Sequence, residues 1–160
     1  MSNSFPDVAD DLLATIDAAA PNLLALSAER ARTPLAPGKW SAHQLIGHLI
    51  DSAANNHQLF VRASQAGALE FPPYIQDFWV DFQRYDTRDW ADVVSLWQAY
   101  NRHVAHVMRQ IPIDRVGAIC KIGKAPPVTL EFLVRDYVDH LKHHLSQIEA
   151  GVADFASRHA

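Results

Sequence analysis

The sequence predicts an all-α fold, a bundle of four long helices, and three observations carry that prediction. Four segments place apolar residues at the three- and four-residue intervals of a helix. The stretches between them are marked by proline, glycine and turn residues. No alternating strand pattern runs for more than a few residues, and Val116 to Ile122 is the one short candidate for extended chain. At 160 residues the chain has the size of one domain, 1–160, with a single core.

The first helix is expected from about Ser4 to Glu29, with Ser4 as N-cap, Pro6 in the first turn and an apolar stripe of Val8, Leu12, Ile16, Ala20, Leu23 and Leu26. Pro21 should kink or interrupt it. After a linker with Pro34, Pro37 and Gly38, Ser41 is placed to cap a second helix running to about Gly67, with Trp40 at the staple position before it. Its stripe, Leu45, Leu49, Ser52, Asn56, Leu59, Phe60 and Ala63, is apolar at both ends and polar in the middle. Such a dip suggests either a lined site or a shallow core.

The third helix, about Thr87 to Ile111, has the cleanest stripe, from Trp90, Val93, Val94 and Trp97 through Val104 and Met108, and reads as scaffold. The fourth is expected to start after Thr129 as N-cap and to stop at Gly151. Two connections, Ala68 to Asp86 and Pro112 to Val128, exceed the roughly 2–8 residues usual between neighbouring helices, so at least one is a crossover.

Composition excludes several classes of partner. A net charge of -4 supplies no positive field for phosphate backbones, so no nucleic acid is expected. A single cysteine, Cys120, removes disulfide frameworks and cysteine-based metal motifs, and it fits a reducing compartment. The amino terminus has no basic segment followed by an apolar one, and no apolar run nears the roughly 18 residues that span a bilayer. The expectation is a cytoplasmic protein with no membrane partner.

Nine histidines stand out against fourteen lysines and arginines, and histidine is the commonest protein ligand for metals. At roughly 100° per residue, His140 and His144 fall within the apolar stripe of the fourth helix, one turn apart, so their ring nitrogens can converge. His143 flanks the stripe, and an i, i+3 pair of His140 with His143 is the alternative. In the second helix His48 lies on the inward arc, whereas His43 and His57 fall outside it. His103, His106 and His159 read as marginal, solvent-facing and terminal.

A lone inward histidine is usually satisfied by a hydrogen bond within the core. Three inward imidazoles are harder to satisfy that way, and three histidines with an open fourth position are a catalytic metal arrangement. Carboxylates offer less: four glutamates and no Glu-x-x-His pair exclude a di-iron bundle. Asp51 and Asp136, each one turn from a histidine, either orient imidazoles from outside the ligand set or are ordinary solvated aspartates.

These residues resemble the signature of the DinB-like superfamily, metal-binding helical bundles that include the bacillithiol transferase type and the mycothiol-dependent maleylpyruvate isomerase type. The match rests on Trp40-Ser41 opening a helix, on Gly47-His48-Leu49-Ile50-Asp51-Ser52, and on Asp139-His140-Leu141-Lys142-His143-His144-Leu145-Ser146-Gln147-Ile148. The resemblance implies an up-down-down-up four-helix bundle with His48, His140 and His144 as metal ligands at one end. Tyr74, Asp77 and Trp79 resemble a Tyr-x-x-Asp-x-Trp stretch that some members place near the site; an ordinary aromatic loop packed on the bundle is the alternative.

Three imidazoles suit zinc or nickel, with iron and manganese as further candidates. Such a site lowers the pKa of what binds there. The first expectation is therefore transfer of a low-molecular-weight thiol to a small-molecule electrophile, and the second is hydrolysis by activated water. The third is a non-catalytic metal-binding protein, a homodimer through the third helix or the loops. No glutamate beside a ligand histidine offers itself as general base, which weighs against hydrolysis.

Overall fold

The computed structural model describes residues 5–158. Among the described residues there are six α-helices: α1 Pro6–Leu24, α2 Ala28–Arg32, α3 Ala42–Ala66, α4 Gln76–Gln83, α5 Trp90–Gln110 and α6 Leu130–Arg158. Three short strands accompany them, β1 Ala68–Phe71, β2 Ile119–Ile122 and β3 Val128–Thr129. The bundle consists of α1, α3, α5 and α6, the four long helices that the apolar periodicity predicts.

Contacts between helices give their directions. Asp10 and Asp17 of α1 pair with Arg109 and Arg102 of α5, so these two run antiparallel. Asp7 and Asp11 pair with Arg135 and Lys142, so α1 and α6 run parallel. Along α3, His43 meets Trp90 and His57 meets Tyr100 and His103, an ascending order that makes α3 and α5 parallel. His48 meets His144 whereas Phe60 meets Tyr137, so α6 opposes α3. The result is up, down, down, up.

Parallel neighbours require a connection that travels the length of the bundle, and the long stretch between α3 and α5 supplies it. β1 leaves the end of α3, α4 packs back along it, and a 3-10 turn at Tyr85–Thr87 delivers the chain to Asp89, whose side chain caps α5. β1 pairs in parallel with β2, Ala68 opposite Ile119 and Phe71 opposite Ile122, and β2 pairs antiparallel with β3, which runs directly into α6. The fold is therefore mostly helical with a small three-stranded sheet, which the all-α expectation omitted. Four-residue strands lie below what periodicity resolves, although β2 falls inside the Val116 to Ile122 stretch.

Two boundaries also differ. α1 stops at Leu24, three residues after Pro21, and the segment expected to extend it forms the separate short α2, capped by Ser27. Ser4, the expected cap of α1, lies outside the described residues, as does His159. α6 does not end at Gly151 but continues to Arg158. There the glycine serves close packing: a Cβ would lie 2.8 Å from Leu35 Cβ, and its carbonyl accepts a hydrogen bond from Arg30 at 3.0 Å.

The core runs the length of the bundle, with Leu12, Ile16, Leu49, Leu59, Phe60, Trp97, Met108 and Leu141 wholly buried. Each such side chain contributes roughly 1.5–3 kcal/mol by leaving water. Among the described residues no helix is long and apolar enough to cross a membrane.

Candidate metal centre

The site is built from the two helices that oppose one another. α3 begins with a capping box, in which Ser41 Oγ accepts from Gln44 N–H at 3.2 Å and Gln44 Oε1 accepts from Ser41 N–H at 3.0 Å. This fixes the first turn and the phase of His48 two turns on. Trp40 is held by a backbone hydrogen bond from Leu35 and lays its ring 5.3 Å from that of His48. On α6, Tyr137, Leu141 and Leu145 are buried, and this anchors the face that carries His140 and His144 inward.

The three rings meet through the same atom. His48 Nε2 lies 3.3 Å from His140 Nε2, which in turn lies 3.0 Å from His144 Nε2. One ligand atom from each residue falls within 4.8 Å of the other two, so the triad could hold a metal ion. Zinc–nitrogen bonds of about 2.0–2.1 Å in tetrahedral arrangement space neighbouring nitrogens about 3.3–3.4 Å apart, close to these separations. Protein groups alone fit less well. One proton on His140 Nε2 makes a good hydrogen bond to one neighbour only, and the other contact then lacks one.

Protons are also unwelcome there. Burial, together with the other imidazoles, lowers the pKa of His48 and of His140 to about 4. His144 is lowered by burial as well, against a raising effect of its hydrogen bond to Gln147. All three are neutral near pH 7, the form that offers lone pairs to a metal. His144 Nδ1 faces Gln147 Oε1 at 2.8 Å, and the Gln147 amide nitrogen faces His143 Nε2 at 3.1 Å. His143 is exposed, so the i, i+4 pair converges with His48 and the i, i+3 pair does not.

The remaining expected site residues divide. Asp51 is buried, but its carboxylate touches no imidazole: Oδ1 accepts from Tyr85 Oη at 2.7 Å and from Gln83 Nε2 at 2.6 Å, and burial raises its pKa. Tyr85 reaches it by crossing Gly47, where any Cβ would strike the ring at 2.2 Å. Asp136 is exposed on α6, the solvated aspartate rather than an orienting group. Tyr74 is half-buried with its ring 4.9 Å from that of Trp79, and burial, helped by the charge of Asp51, pushes its hydroxyl up to about 12. Asp77 is exposed on α4 and lines an open cleft of about 910 Å³ together with Trp40, Lys39, Gln76, His144 and Gln147. Trp79 packs on Tyr74 and does not line that cleft.

Helical phase misplaced one histidine. His43 is fully buried, its ring 5.1 Å from Trp90, because the start of α5 covers a face of α3 that the wheel assigns to solvent. His57 is half-buried and bonds Tyr100 Oη at 3.1 Å, while His103 and His106 are exposed as expected. Gln147, Gln83 and Tyr85 were not singled out from sequence. The i, i+3 spacing from His144 to Gln147 was a usable signal; the approach of Tyr85 from 34 residues away was not.

With this geometry in hand, the sequence pattern of the DinB superfamily matches residues 10–148. The chain belongs to the DinB superfamily. Among solved structures, it is similar to YfiT from Bacillus subtilis, described as a probable metal-dependent hydrolase with an unusual four-helix bundle topology. The TM-score is 0.76 at 21% identity, over 94% of this chain and 85% of that one, a likeness that establishes the fold. No curated protein matches the chain.

Proposed function

We propose that this DinB protein is a metal-dependent hydrolase of small molecules, with one divalent transition metal held by Nε2 of His48, His140 and His144. The observation that carries this reading is the meeting of three neutral imidazole nitrogens whose two contacts one shared proton cannot both satisfy, with His144 lining an open cleft. The donor set suits zinc or nickel, with iron and manganese less favoured. A metal bound there supplies Lewis acidity, lowering the pKa of a coordinated water toward about 7 and polarising a substrate carbonyl.

The chain's own residues do the rest. Trp40 covers one side of His48 and keeps bulk water from that ring, while Gln147 orients His144. Gln76 and Asp77 of α4 line the cleft together with Trp40 and Lys39, so the crossover connection contributes to what can enter. The description of YfiT as a probable metal-dependent hydrolase supports the same reading.

One observation favours a second reading, transfer of a low-molecular-weight thiol. Among the described residues no carboxylate is hydrogen-bonded to the triad, and Oδ1 of Asp51 is taken by Tyr85 and Gln83. A thiol, with a pKa of about 8.5, needs less help than water to lose its proton. Protein purified without a His-tag and loaded with zinc or nickel should turn over ester or amide substrates without added thiol, and His144→Ala should abolish this. Turnover only with bacillithiol, mycothiol or glutathione establishes the transferase reading instead, and full occupancy without turnover leaves a metal-binding protein.

A further inference from the structure

We infer that Gln147 is a positioning residue that decides which of two adjacent histidines joins the cluster, holding His144 inward as the Nδ1–H tautomer and His143 outward. For its metal-binding consequence this rests on the reading above; for the tautomer it does not. His143 and His144 are three and four residues from His140, the two spacings that meet on a helix. The phase of α6 turns His144 further inward than His143, and side-chain contacts fix which of the two rings is held at the cluster.

A single amide supplies those contacts. Gln147 sits one turn beyond both histidines and presents an acceptor and a donor on opposite corners. Its Oε1 lies 2.8 Å from His144 Nδ1, which must carry a proton to donate to it. A neutral imidazole has only one N–H, so His144 Nε2 is left with a lone pair, aimed at His140 Nε2 3.0 Å away. The Gln147 amide nitrogen donates to His143 Nε2 at 3.1 Å, and this occupies the lone pair with which His143 would otherwise compete. The assignment is internally consistent: turning the amide over would put an N–H against His144 Nδ1 and force its proton onto Nε2, into the cluster.

Four variants and two readouts test this. In metal-free wild-type protein near pH 7.5, long-range proton–nitrogen NMR correlations should show His144 as the Nδ1–H tautomer, and Gln147→Leu should admit the Nε2–H form. A wild-type His144 already protonated on Nε2, or a tautomer unmoved in Gln147→Leu, overturns the inference whatever the metal does. By competition titration, zinc should bind Gln147→Leu about 10–100-fold more weakly than wild type, the usual cost of losing a partner behind a ligand histidine. Gln147→Glu should recover affinity to within a few-fold, since a carboxylate accepts the same N–H. Equal affinity in wild type and Gln147→Leu overturns the positioning role. Adding Gln147→Leu to His144→Ala should free His143 to pair with His140 and improve zinc binding over His144→Ala alone; no improvement overturns the selection between the two. If wild-type protein takes up no zinc at all, the metal reading fails while the tautomer still decides the role of Gln147.

Discussion

Two groups of histidines sit between helices of this bundle, and they are solved differently. Between α3 and α5, His57 puts Nδ1 3.1 Å from the hydroxyl of Tyr100, a partner that can donate or accept as the tautomer requires, and its ring stacks edge-on against exposed His103. Between α3 and α6, His48, His140 and His144 face one another nitrogen to nitrogen. The first group is an ordinary polar contact at a half-buried seam. In the second, one shared proton on His140 Nε2 serves only one of the two contacts, and burial makes adding another costly. Inward direction alone does not mark a ligand; what the ring nitrogens meet does.

The largest expected effect separates the groups outright. His140→Ala should abolish stoichiometric zinc binding and all metal-dependent turnover, while His57→Ala should leave both within about twofold, measured by calorimetric titration and steady-state kinetics. Loss of zinc binding in His57→Ala would erase the distinction.

A smaller effect is expected in the pH dependence of the metal-free protein. His48 and His140 have folded-state pKa values of about 4 against an ordinary value of 6.5, so the unfolded chain binds more protons between those limits. Stability should therefore fall as pH drops from about 6.5 toward 4, with nothing contributed above that window. Urea midpoints at pH 7 and pH 5 should show the decline, and the slope should be shallower in a His48→Leu, His140→Leu double variant. His57→Ala should keep most of it.

The smallest effect sharpens the other side. Tyr100→Phe removes the partner of His57 and should cost about 0.5–1.5 kcal/mol of stability with no change in metal affinity. A metal effect from Tyr100→Phe would mean that the two groups are coupled through α3.

Much of this contrast was legible in the residue order. The apolar stripes of α1, α3, α5 and α6 are strong because each long helix buries one face, and Ser41 with Gln44 announces the start of α3 by local hydrogen bonding alone. The spacing of His140 and His144 is a property of one helix, so it survives the step to three dimensions. His43 did not survive it, because Trp90 covers its face from another helix. Asp51 reads from sequence as either orienting an imidazole or facing solvent, and it does neither, because Tyr85 and Gln83 claim it after the crossover folds back over Gly47. Gly151 carries the usual mark of a helix end and is used instead to let α6 lie against Leu35. Local signals are read correctly where neighbours along the chain decide the outcome, and incorrectly where a distant segment does.

X-ray absorption at the zinc edge of stoichiometrically loaded protein tests the central claim most directly. Three imidazole nitrogens at about 2.0–2.1 Å with one further light ligand are expected, falling to two imidazoles or to no binding in His48→Ala. A zinc site with fewer than three imidazoles in the wild-type protein, or one unchanged by His48→Ala, would contradict the account.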